Sequence, residues 1–232
     1  MTAPARQLVL DLAVRPALSR EDFFVSPANA AAVALVDQWP HWPAHVAVIV
    51  GPPGSGKSHL VEVWRQASGA GRLSAAALTA EAVPGLLASG ALALEDVDHG
   101  PLDQTALFHA LNLARQQAGH VLLTATSHPG AWPVTLPDLA TRLKLAPVVE
   151  IAPPDDALLR AVLVKHFTDR QIAVDEGVIA YLLTRMPRSM AAARALVAEI
   201  DRRALEERAE VTRPFVARVL AAFDSPDLFP DP

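Results

Sequence analysis

The chain of 232 residues has no cysteine, so neither a disulfide framework nor a thiolate metal site can form. Its eight histidines (His41, His45, His59, His99, His109, His120, His128 and His166) lack the spacing of a metal-ligand set. No apolar run approaches the length of a membrane span, and the first fifteen residues lack the long apolar centre and small-residue cleavage site of a signal peptide. A cytoplasmic protein with no membrane partner is therefore expected. Positive charge is also short. The formal net charge of −5 argues against strong direct DNA binding, because that affinity comes mostly from neutralising phosphates with Lys and Arg. Arg202, Arg203 and Arg208 cluster near the end of one expected helix, where a solvated face is the plain reading. There is no internal repeat.

What the chain does have is a hydrophobic share of 51%, enough for one α/β domain and a small second one. Its most telling segment is GPPGSGKS at 51–58, entered directly from the apolar run 45–50. A buried strand, a glycine-rich loop and a helix in that order form a phosphate-binding loop. Gly51, Gly54 and Gly56 allow backbone angles at which consecutive N–H groups, across Pro52, Pro53 and Ser55, turn toward phosphate oxygens. Lys57 supplies a point charge toward the β and γ phosphates. Ser58 offers a hydroxyl to Mg²⁺ and opens, with His59, a helix expected over 58–66 whose N-terminus favours the same anion. The implied cofactors are ADP or ATP with Mg²⁺.

Further strands are expected at 72–76, 91–94, 120–125 and 148–151, and helices at 26–39, 82–88 and 103–117. Strands alternating with helices indicate a parallel sheet with helices on both faces. After Pro153 and Pro154 the pattern turns helical, over 156–170, 175–186, 189–207 and 212–223. The expected organisation is an N-terminal arm at 1–20, a nucleotide-binding domain at 21–152, a small all-α lid at 153–223 and a proline-rich acidic tail at 224–232.

The run at 91–94 ends in Glu95 and Asp96, at the carboxyl end of a buried strand, where open α/β sheets place ligand chemistry. One carboxylate would hold the metal and the other would orient an attacking water; solvated punctuation is the alternative. Aspartate first is the commoner order, so strong hydrolysis is not expected here. Thr126 and Ser127 close the next strand, with a hydroxyl for the γ-phosphate or simply a turn. Arg142, in LATRLK, is expected to project from the domain and to reach a neighbour's γ-phosphate, or to form a surface ion pair.

The loop, acidic strand end, polar strand end, projecting arginine and helical lid together resemble an AAA+ P-loop ATPase. The segment FFVSPAN at 23–29, the strand ends at 91–98 and 126–129, and LPDLATRL at 136–143 resemble the ATPase domain of the bacterial initiator DnaA. That resemblance places Phe24 and Val25 near the adenine. The chain reaches Pro232 without the helix-turn-helix domain that follows the lid in initiators, so origin recognition by that route is not expected. It begins instead with QLVLDL at 7–12, which resembles the motif by which bacterial proteins dock on the replicative sliding clamp, the DNA polymerase III beta subunit. Gln7 would bond at the pocket edge and Leu8, Leu10 and Leu12 would anchor; an N-terminal edge strand is the other reading of the same leucines.

A DnaA-like ATPase with a clamp-docking arm resembles the Hda family of DnaA regulatory inactivators, in its alphaproteobacterial form. The resemblance implies a negative regulator of replication initiation whose partners are the clamp and DnaA. Recruited by the loaded clamp, it would place Arg142 in trans on DnaA's ATP and stimulate hydrolysis, with Glu95 and Asp96 contributing only a weak intrinsic ATPase. ADP in its own site would suit that role, as would the absence of the family's aspartate at Ser127. The resemblance also implies a lid arginine that senses nucleotide; Arg194 is preferred over Arg188, although the most direct register falls on Ala191. Two other functions stay open, an AAA+ motor or loader acting on DNA or protein and a DnaA-recruiting scaffold without catalytic role. Self-association into a homodimer or larger assembly is left open as well.

Overall fold

A computed structural model describes residues 20, 21 and 23–223. The arm motif at 7–12 and the tail at 224–232 lie outside the described residues. The described chain divides between Pro153 and Pro154 into two compact units.

The first unit carries five strands: β1 (Val46–Val50), β2 (Gly71–Ser74), β3 (Ala91–Glu95), β4 (His120–Ala125) and β5 (Val148–Glu150). They pair in the order β2-β3-β4-β1-β5, and every pairing is parallel. Parallel strands are covered on both faces, which is why β1 and β3 read as unbroken apolar runs. On one face lie α1 (Ala30–Asp37) and α2 (Lys57–Ser68), whose Val33, Val36, Leu60 and Trp64 bury Ala47, Ile49 and Ala93. The other face is covered by α3 (Val83–Leu86), α4 (Gln104–Gln116) and α5 (Pro137–Leu145), which pack Leu107, Leu111, Leu139 and Leu143 on Val48, Leu92 and Leu123. This is the α/β sheet covered on both faces that the pattern predicts.

Several boundaries differ from the sequence expectation, each for a local reason. Helix α1 starts at Ala30 rather than at 26, because the Asn29 amide folds back onto the chain. Its Nδ2 donates to the Phe24 carbonyl at 2.9 Å and its Oδ1 accepts from Ser26 N–H at 2.9 Å. Strand β2 runs over Gly71–Ser74, ending where Ala75–Ala77 take up a 3₁₀ turn. Helix α2 begins one residue early, at Lys57, behind Gly56 in the left-handed region at φ 101°. Helix α5 has no counterpart among the expected elements. Pro137 occupies its first turn, where the missing N–H has no intrahelical partner to lose.

The second unit holds α6 (Asp156–Asp169), α7 (Glu176–Leu183), α8 (Met190–Glu207) and α9 (Arg213–Phe223). Asp155, Asp175 and Ser189 cap the first three, each accepting from a backbone N–H three residues on. Leu159, Leu163 and Phe167 of α6 pack with Ile179, Leu196, Val197, Ile200 and Val216 in a separate core. Burying these apolar faces against one another is what stabilises four short helices. Arg202 and Arg203 of α8 are paired within the helix: Arg202 bonds Glu199 and Glu206, and Arg203 bonds Glu199. No helix among the described residues is long and apolar enough to cross a membrane.

Candidate nucleotide site

Parallel register brings three strand ends to one edge of the sheet. Val50 is level with Ala125, and Leu94 with Leu123, so the phosphate loop, Glu95-Asp96 and Thr124–Ser127 all emerge together. Gly51 N–H donates to the Ala125 carbonyl at 3.1 Å, and Val97 N–H to the Thr124 carbonyl at 3.0 Å, fastening the loop and the acidic turn to β4.

Within the loop, a side chain on Gly51 would meet Ser55 Oγ at 2.8 Å and the Ile151 carbonyl at 2.9 Å. Gly54 and Gly56 both have positive φ, at 71° and 101°. Lys57 is 7% exposed, and its ammonium donates to the carbonyls of Gly51 at 2.7 Å and Pro52 at 3.1 Å. Burial pushes its pKa down while the carboxylates of Asp96, Asp98 and Glu95 pull it back up. Ser55 Oγ is buried with no hydrogen-bond partner among the described residues. A glycine-lined cradle, a buried cation and an orphan hydroxyl fit a phosphate group. Ser58 is exposed at the first turn of α2. Phe23 meets His59 edge-on at 5.0 Å, which sets the entry segment beside that turn, with Phe24 and Val25 exposed at 38% and 53%.

The acidic turn is more committed than its sequence suggests. Glu95 is 7% exposed and accepts a charged hydrogen bond from Nε of Arg72 on the neighbouring β2. Asp96 is exposed, takes left-handed backbone angles at φ 57°, and donates its N–H to Thr124 Oγ1 at 3.3 Å. Asp98 accepts from the N–H and hydroxyl groups of both Thr126 and Ser127, at 2.7 to 3.1 Å. Burial opposes its charge, but those hydrogen bonds win and hold its carboxyl well below the usual range. The Ser127 hydroxyl predicted to meet nucleotide therefore donates to Asp98. Of the oxygens predicted for Mg²⁺, those of Ser58 and Asp96 are exposed, while Glu95 is already paired with a cation. Neither Asp98 nor Arg72 stood out in the sequence. Asp98 was legible only as part of an acidic run, and Arg72 only as a residue of an expected strand.

Arg142 lies elsewhere. On α5 it stacks its guanidinium 4.8 Å from the centre of the Phe108 ring of α4. It lines a groove with Ala44, His45, Val46, Arg115 and Leu145, at the opening end of β1. The phosphate loop follows the closing end, and a five-residue strand spans roughly 16 Å, farther than an arginine side chain reaches. In the lid, Arg188 bonds Asp156 at 2.7 Å and the Pro154 carbonyl at 3.2 Å, whereas Arg194 is exposed on α8.

Residues 156–220 match the family model described as "Hda, lid domain". The lid unit is thus similar to the lid of the Hda family, over less than a third of the chain. The fold agrees across nearly the whole chain. Domain III of the Thermotoga maritima replication initiation protein DnaA superposes with a TM-score of 0.73 at 18% identity, covering 91% of this chain and 98% of that domain. AMPPCP-bound DnaA from Aquifex aeolicus gives 0.66 at 20% identity, over 83% of this chain and 67% of that one. The Thermotoga maritima RuvB branch migration motor gives 0.64 at 16%, over 81% and 64%. At these identities the superpositions establish the AAA+ fold, with its helical lid, and the chain spans about two thirds of the length of the longer DnaA structures. Comparison with curated protein sequences gives no match.

Proposed function

We propose that this chain is a negative regulator of replication initiation that holds ADP or ATP on Gly51–Ser58 and stimulates hydrolysis of the ATP bound by DnaA. In this reading Gln7, Leu8, Leu10 and Leu12 dock on the DNA-loaded sliding clamp in the cytoplasm. Arg142 then reaches the γ-phosphate on DnaA and stabilises the charge that spreads over the transferring group. The observation that carries the proposal is the placement of Arg142, a strand's length from its own phosphate loop and beside an open groove, in a chain whose lid is of the Hda type. An arginine so placed has no nucleotide of its own to serve. Its stacking on Phe108 holds the guanidinium in a set direction before any partner arrives.

The local nucleotide then acts as a structural ligand. It fills the cradle around Lys57 and orders the loop joining β1 to α2, without turning over quickly. DnaA ATP turnover, measured with this chain and DNA-loaded clamp, should rise above the rate of DnaA alone. Arg142→Ala should return it to that basal rate with ADP and clamp binding intact. Full stimulation by Arg142→Ala would exclude the role in trans.

A further inference from the structure

Arg72 and Glu95 stand on the same face of the sheet. Arg72 is level with Ala93 in the β2–β3 register, and Glu95 is two residues beyond Ala93, so the guanidinium reaches diagonally across the strand pair. That face is the one covered by α2, and Glu62 of α2 completes the group. Glu62 is held mainly by Arg65. Arg65 grips it through two bonds, at 2.7 and 2.8 Å, and with that grip the Glu62 pKa falls to about 2, the other hydrogen bonds and nearby cations outweighing burial. Arg72 comes no closer to Glu62 than 3.7 Å, whereas it donates a hydrogen bond to Glu95. Two guanidiniums thus neutralise two carboxylates, and the carboxylate neutralised by Arg72 belongs to the strand-end pair, Glu95 and Asp96, expected to hold Mg²⁺.

We propose that Arg72 is a resident counter-cation for Glu95, taking the place of the metal there, so that nucleotide binds this chain with little help from magnesium. The inference rests on the reading of Gly51–Ser58 as a nucleotide site. Magnesium sheds its water reluctantly and is usually held by one or two carboxylates together with substrate phosphates. Here the buried carboxylate already has a charge-assisted partner, and a metal ion beside it would face the guanidinium's positive charge at close range. Asp96 is exposed beyond the strand end, where solvent weakens its attraction for an ion. Lys57 then supplies the main positive charge facing the phosphates. The arrangement suits a site that retains nucleotide instead of hydrolysing it.

The test is calorimetric titration of the full chain with ADP and with a non-hydrolysable ATP analogue, in excess Mg²⁺ and in EDTA. Wild-type affinities should agree within about threefold between the two conditions. Arg72→Met, which keeps the aliphatic stem and removes the charge, should bind the ATP analogue about tenfold or more tightly with Mg²⁺ than without. Adding Glu95→Gln to Arg72→Met should abolish that gain. A wild-type protein that already gains tenfold from Mg²⁺ overturns the assignment of Arg72, whether or not the variants fold. So does a gain in Arg72→Met that survives the loss of the Glu95 carboxylate. Absence of nucleotide binding by the wild type in both conditions defeats the phosphate-loop reading itself, and with it this inference.

Discussion

The Asp98 carboxylate and the Ser127 hydroxyl lie 2.7 Å apart, and this bond, with those from the Ser127 N–H and the Thr126 N–H and hydroxyl, ties the end of β3 to the end of β4. The side chain of Asp98 is 6% exposed, so the charge is sheltered from water and depends on those donors. An exposed acid beyond a strand would leave the two loops independent. Here they are joined into one edge of the site.

Asp98→Asn should destabilise the nucleotide-binding unit by about 1.5–3 kcal/mol, since an amide turns an N–H group toward donors that need an acceptor. The pH dependence follows from the direction of the shift. A carboxyl whose folded pKa lies below its unfolded value stabilises the fold above the ordinary carboxylate pKa of about 4, and that stability is lost as pH falls through the folded value. Denaturant unfolding followed from about pH 5 down to about pH 2 should show a smaller acid-induced loss in Asp98→Asn than in the wild type. Equal losses would remove Asp98 from that role.

Lys57→Ala removes the buried ammonium that the Gly51 and Pro52 carbonyls now hold. Its contacts with phosphate would be charge-assisted, so nucleotide affinity should fall by more than about tenfold. The sheet core does not use this side chain, and the thermal midpoint without nucleotide should change little. Titration calorimetry and a thermal melt of the same sample separate the two effects. Unchanged affinity would mean that Lys57 does not meet the phosphates.

Phe108 is expected to act through Arg142. Phe108→Leu keeps an apolar residue on α4 but removes the ring beneath the guanidinium. A cation–π contact of about 0.5–1 kcal/mol at a partly exposed site corresponds to a drop of roughly two- to fivefold in the stimulated rate of DnaA hydrolysis. ADP affinity should be unchanged, because the groove lies at the far end of β1. A variant that stimulates as well as the wild type would show that Arg142 needs no such support.

Much of this protein was legible in its sequence because the signals are local. A glycine-rich loop needs particular backbone angles at Gly54 and Gly56, and the apolar runs at β1, β3 and β4 could only be strands covered on both faces. Even the division at Pro153-Pro154 could be read from the change of pattern, and the lid helices from the spacing of Leu159, Val162, Leu163 and Phe167.

What the sequence by itself determined is the glycine-rich turn between β1 and α2, the class of fold and the helical lid, since residues adjacent in the chain specify each of them. The tertiary structure alone decided which side chains meet. Arg72 and Glu95 are 23 residues apart, Asp98 and Ser127 are 29 apart, and both pairs exist only because parallel strands align in one register. The same register sends Arg142 to the opposite end of β1 from the loop. Parallel pairing carries no turn that could announce it in sequence, so the partners of these charges became visible only once the sheet was assembled.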